Sequence, residues 1–143
     1  MRIMERKSRL RDKEERRMSR IRNLTENLVT LREDLGLTQT ELAELVGVTR
    51  SQIVNYETGR RVMSWMAFLA FVQVLGRDAK TRLAMDRLNI WSQDKEYRLV
   101  GDEDLEAVRG GVSVPYFGGE GLSDEALLRL IEAELQRRHV PSQ

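Results

Sequence analysis

The side chains best equipped for chemistry in this chain cluster in "GVTRSQIVNYETGRR", residues 47–61. Thr49, Arg50, Ser51, Gln52, Asn55, Thr58, Arg60 and Arg61 supply hydroxyl, amide and guanidinium groups there, against three large apolar residues after the first valine. Hydroxyls and amides donate and accept hydrogen bonds, and a guanidinium presents a fork of donors. Such a segment suits recognition of a polar or anionic partner and carries little core of its own. The chemistry of bond-making is missing. There is no cysteine, which excludes disulfides and thiolate metal sites. His139 is the sole histidine and sits near the C-terminal end. Neither tetrahedral zinc nor Ser/His/Asp catalysis therefore has its residues. "RGGVSVPYFGGEG" (109–121) lacks the Lys and Ser/Thr of a phosphate-binding P-loop. The expectation is a binding protein, not an enzyme, with no metal and no cofactor.

Caps and stops outline the elements that position the segment. Asn23 can cap a helix, with Glu26 three residues on and Leu24, Leu28, Leu31 and Leu35 in one stripe. Gly36 then offers a left-handed stop. Thr38 with Glu41 makes a capping box for a short helix through Leu42, Ala43, Leu45 and Val46, ending at Gly47. Thr49 with Gln52 makes a second box, opening a helix to about Thr58 before Gly59. Two short helices meeting across a tight turn at Gly47, Val48 and Thr49 form a helix-turn-helix signal.

Past that turn, "SWMAFLAFVQVL" (64–75) is apolar almost all round. It must be covered on several sides, by the domain core, by the C-terminal part or by another subunit. Asp78 to about Ile90 reads as a further helix with Ala79, Leu83, Ala84 and Leu88 on one side. "EYRLV" (96–100) suggests a short strand, and Asp102 can cap a short helix to Arg109. Residues 110–122 read as a Gly-rich linker. Ser123 caps a last helix, "DEALLRLIEAELQRR", whose stripe is Leu127, Leu128, Ile131 and Leu135. That stripe can pack on its own domain or pair with another chain, and pairing is the expectation.

The pattern "LREDLGLTQTELAELVGVTRSQIVNYETGRR" (31–61), within residues 23–75, resembles the lambda-repressor/Cro-type, or Xre-like, helix-turn-helix domain. The resemblance implies a mainly α fold, a bundle of four or five helices whose third helix enters the major groove of DNA. Such a recognition helix buries a narrow face, here Ile53 with part of Tyr56 and Val54, and turns the rest to base edges. Arg50 can give two bonds to guanine, Gln52 or Asn55 can pair with adenine, and Ser51 can donate or accept. The resemblance makes Arg50, Ser51 and Asn55 the main base readers, with Thr49 and Gln52 as lesser ones. It also places Gln39 on a phosphate and against the recognition helix. Thr58, Arg60 and Arg61 follow that helix and would grip the backbone. A carboxylate at Glu57 would be repelled by phosphate, and the resemblance pairs it inside the domain with Arg32. One departure stands out: "RRVMSW" replaces the proline that often opens the next helix in the family.

Charge agrees with a polyanionic partner. Residues 1–62 hold 14 Lys/Arg against 10 Asp/Glu, whereas residues 63–143 hold 10 against 13. The organisation expected is a basic arm (1–22), a helix-turn-helix domain (23–76), a helical extension (77–109), the linker (110–122) and a C-terminal helix and tail (123–143). The partner expected is duplex DNA at an operator, bound by a homodimer acting as a repressor, with a phage or prophage immunity repressor as the nearest type. An antitoxin-type regulator with a partner protein bound through the C-terminal part is the alternative. Residues 64–143 could also serve a protein partner in an adaptor. With 41% apolar and 33% charged residues, no membrane-length apolar run and a charged N-terminus, the expected location is cytoplasmic.

Overall fold

The computed structural model describes residues 2–92 and 123–139, and those residues are all helical or connecting turns. The strand, short helix and linker expected between 96 and 122 lie outside the described residues. Six helices are described: α1 (Arg2–Asp34), α2 (Gln39–Val46), α3 (Arg50–Glu57), α4 (Trp65–Leu75), α5 (Ala79–Arg87) and α6 (Asp124–His139). None is long and apolar enough to cross a membrane.

The first helix corrects one expectation. It does not begin at an Asn23 cap but runs unbroken through that residue. The chain has no glycine or proline before Gly36, and its first 22 residues are mostly Arg, Lys, Glu, Met and Leu, which propagate a helix well. At 33 residues the helix is about 50 Å long. Its C-terminal half buries Ile21, Leu24, Leu28 and Leu31 in the core, while Leu35 lies just past its end, half-buried. Asn23 instead reaches sideways: its Nδ2 and Arg20 Nη1 both donate to the Asn89 carbonyl, at 3.0 and 2.6 Å. Asn89 is the only non-glycine among the described residues with positive φ, at 55°, a conformation asparagine tolerates. One turn earlier, buried Arg17 stacks its guanidinium 5.3 Å over the Trp65 ring. Arg17→Ala removes that stacking and the packing of the stem, and we expect urea denaturation to register a cost of about 1–2 kcal/mol.

The fourth helix is the hub. It packs against α1, α2 and α6, which is why a helix apolar all round is tolerated. All its residues but Gln73 are buried. Its start needs no proline. Ser64 takes the cap position, and its Oγ accepts from the Ala67 N–H at 3.1 Å. Phe71 meets the edge of Tyr56 from α3, and Trp65 and Phe68 lie under Trp91.

Two apolar stripes match the expectation in part: Ala84 on α5 and Leu127, Ile131 and Leu135 on α6 pack on or into the core, while Leu83, Leu88 and Leu128 do not. On α5, Leu83 is 60% and Leu88 38% exposed, and the buried residues are Thr81 and Met85. After α5 the chain folds back, with the Ile90 and Trp91 N–H groups both bonded to the Met85 carbonyl. That return carries Ile90 and Trp91 into the core and selects the Met85 face. On α6, Leu128 is 48% exposed while Ala126, Leu130, Ile131 and Leu135 are buried. The helix packs on α4 of its own chain, contrary to the lean towards pairing with another. Gln73 of α4 ties it down through the Leu130 carbonyl and the buried Glu134 carboxylate, each at 3.3 Å.

Both capping boxes are present. Thr38 Oγ1 accepts from the Glu41 N–H while Glu41 Oε1 accepts from the Thr38 N–H, at 3.0 and 3.1 Å. The bond from the Thr38 backbone, then the one with its side chain, holds the Glu41 carboxyl below the usual carboxylate range. Because this folded pKa is depressed, the cap is at full strength above the ordinary carboxylate pKa. It weakens as pH falls through the lowered one.

Candidate nucleic-acid interface

The candidate recognition segment is α3 with the turns on either side. Thr49 caps it: Thr49 Oγ1 accepts from the Gln52 N–H at 3.1 Å, and Gln52 Oε1 accepts from the Thr49 N–H at 2.7 Å. Ile53 and Tyr56 anchor its inner face in the core. Its outer face carries Arg50 and Ser51, exposed, then Val54 and Asn55, half-buried, and Thr58 at the C-cap. Gly59, at φ +74°, reverses the chain so that the N–H groups of Arg60 and Arg61 both bond to the Asn55 carbonyl, at 2.9 and 3.2 Å. The two arginines are thereby folded back beside the end of α3, both exposed.

One buried ionic hub orients all three elements of the motif. Arg32 of α1 donates from Nε to Glu57 Oε2 at 2.7 Å and from Nη2 to Oε1 at 3.3 Å. Its Nη1 donates to the Leu37 carbonyl at 2.9 Å. Gln39, the first residue of α2, donates from Nε2 to Glu57 Oε1 at 2.9 Å. The two charged side chains are only 12% and 5% exposed. The bond with Glu57 raises the Arg32 pKa above its ordinary value, against the opposing effect of burial. Glu57 sits at the end of α3 facing groups that neutralise it, not facing outward.

The structure therefore sorts the candidate residues. Arg50, Ser51, Asn55, Arg60 and Arg61 make no side-chain hydrogen bond or ion pair with another described residue. Their donors and acceptors are open to a partner. Thr49 keeps its hydroxyl proton, because its oxygen serves as the acceptor in the cap. Gln52 is half committed. A bidentate bond to adenine needs both ends of the amide, and its oxygen already holds the Thr49 N–H. Thr58 is committed too, its hydroxyl donating to the Val54 carbonyl at 2.7 Å, so no proton is left to give a phosphate. Gln39 is turned towards Glu57. The backbone N–H groups of Gln39 and Thr40 at the start of α2 lack intrahelical acceptors, as at any helix start. They are the open donors at that end.

Val54 is half-buried, in line with the partial burial expected of it, but it lies outside the core cluster. Its position one residue past Ile53, about 100° round the helix, was the signal that could have shown it. Reasoning from sequence also missed that α6 abuts this motif. The Ser123 N–H donates to the Gly47 carbonyl at 3.0 Å, and the Ala126 methyl lies directly against Gly47.

Comparison with known proteins agrees with a helix-turn-helix fold. A family described as a helix-turn-helix domain matches residues 24–85. An uncharacterized HTH-type transcriptional regulator of Methanothermobacter thermautotrophicus is 49% identical over 47 residues, covering 33% of this chain and 68% of that protein. No solved structure matches the chain significantly. The chain belongs to the helix-turn-helix family.

Proposed function

We propose that this protein is a sequence-specific, duplex-DNA-binding transcriptional regulator of the lambda-repressor type, acting as a repressor that occludes a promoter. The observation that carries this reading is the division of labour on α3. Its inner face and its carboxylate are satisfied within the chain, while Arg50, Ser51, Asn55, Arg60 and Arg61 face outward without internal partners. Arg50 and Asn55 read guanine and adenine edges, Ser51 reads either, and Thr49 and Gln52 hold the start of α3 in register. Arg60, Arg61 and the first amides of α2 clamp phosphates and fix the docking without reading sequence. The protein binds as a homodimer on a two-fold site. Its half-sites then lie about one helical turn apart, roughly 34–36 Å, or a multiple of that.

The antitoxin-type alternative needs the C-terminal part available for a partner. Most of the apolar face of α6 is spent on α4, which favours the simpler regulator.

A binding selection from random duplexes across a salt series tests the proposal. Arg50→Ala is expected to relax one base position per half-site, at about 1–3 kcal/mol of lost discrimination. Arg61→Ala is expected to weaken every site alike and to reduce the salt slope by roughly 0.9 for each phosphate no longer neutralised. A two-fold motif supports the dimer, and a single half-site points to a monomer. Binding that selects no motif and stays near ~10⁻⁴–10⁻⁶ M overturns the regulator reading.

A further inference from the structure

Val54 is the one apolar side chain on the outward face of α3. Arg50 lies four residues before it, Ser51 three before, and Thr58 four after, so all share its side of the helix. It is half-exposed, yet no part of the core cluster or of the partly buried residues packed on that cluster includes it. Of the polar groups on that side, the Thr58 hydroxyl is already held by the carbonyl of Val54 itself. A face that mixes open polar readers with a central apolar branched side chain is complementary to a surface of the same composition. In the major groove the one apolar group on a base edge is the thymine 5-methyl.

Resting on the proposed function, we propose that Val54 is a specificity-determining residue that contacts the 5-methyl group of a thymine. This thymine lies within one or two base pairs of the base read by Arg50. The contact adds an apolar position to a readout otherwise made of hydrogen bonds. It rejects cytosine and purines there because they would set polar edges against a side chain that cannot satisfy them.

The test uses the full chain and the site recovered by selection. Each thymine of the half-site is replaced in turn by deoxyuridine, which removes the methyl and leaves every hydrogen-bonding group in place. For the wild type, one such replacement is expected to weaken binding about four-fold or more, the value of one buried methyl. Val54→Ala should bind the thymine site more weakly by a similar factor and no longer distinguish thymine from uracil at that position. Val54→Thr keeps a methyl of similar reach and should retain the distinction. Half-exposed Val54 is outside the core, and an unchanged thermal melt for Val54→Ala shows that folding is not the cause. If no thymine-to-uracil change matters, or if the sensitivity persists in Val54→Ala, this assignment is overturned while the regulator reading stands. If the wild type selects no sequence at all, both fall.

Discussion

Glu57→Gln is expected to destabilise the protein by about 3–5 kcal/mol, the cost of breaking a buried ion pair by removing one partner. The carboxylate takes two bonds from Arg32 and one from Gln39. A neutral amide would turn its own NH2 towards one of those donors and would leave the guanidinium, 12% exposed, without its hydrogen-bonded counter-charge. Against a typical total stability of about 5–15 kcal/mol the loss is large, and urea unfolding at neutral pH measures it directly. Replacing both partners, Arg32→Met with Glu57→Leu, should cost far less than the two single changes added together, because no unpaired charge remains buried. The two variants also separate stability from function. The hub joins α1, α2 and the end of α3, so the double variant should fold and yet hold α3 less firmly, losing sequence preference more than non-specific affinity. A cost below about 1 kcal/mol for Glu57→Gln, the range of an exposed pair, would show that the pair is not buried in solution.

The second large effect is at Gly47. This residue stands at φ +95°, where a side chain costs about 1–2 kcal/mol. A Cβ added there would also overlap the Cβ of Ala126 on α6, a short side chain with no means of swinging aside. Overpacking of that kind adds about 1–3 kcal/mol. Gly47→Ala should therefore cost about 2–5 kcal/mol in total, or release α6 from the motif and expose Leu130 and Ile131. Gly59→Ala is the natural control. Gly59 also has positive φ, at +74°, but its added Cβ would meet nothing within 4 Å, so it carries the backbone cost alone. Combining Gly47→Ala with Ala126→Gly should recover the overpacking share and leave the backbone share. Equal costs at Gly47 and Gly59 would mean that α6 does not rest on the turn.

These two sites show how unevenly the structure was legible. That Glu57 needs a partner within the chain could be anticipated, because a carboxylate beside phosphate would be repelled, and the resemblance to the lambda-repressor type named Arg32 as that partner. The contact of Ala126 with Gly47 could not be anticipated. An alanine in a helix and a glycine in a turn, 79 residues apart, carry no mutual signal. The same limit explains the stripes on α5 and α6. Each helix offers more than one plausible apolar face, and the choice depends on which neighbour arrives. For α5 the neighbour is the returning Ile90–Trp91 segment, and for α6 it is the pair of surfaces made by α4 and Gly47.

What the amino-acid sequence determined alone is therefore local. The two capping boxes, the glycine turns and the order of short helices around residues 38–59 follow from bonds between residues three or four apart. Such bonds are settled wherever the segment lies in space. Tertiary structure decided the rest. It fastened α1 sideways at Asn89, left Val54 outside the core cluster and set α6 on the turn of the motif. Those outcomes depend on which surfaces meet through space, where periodicity permits several faces and only packing and hydrogen-bond satisfaction select one.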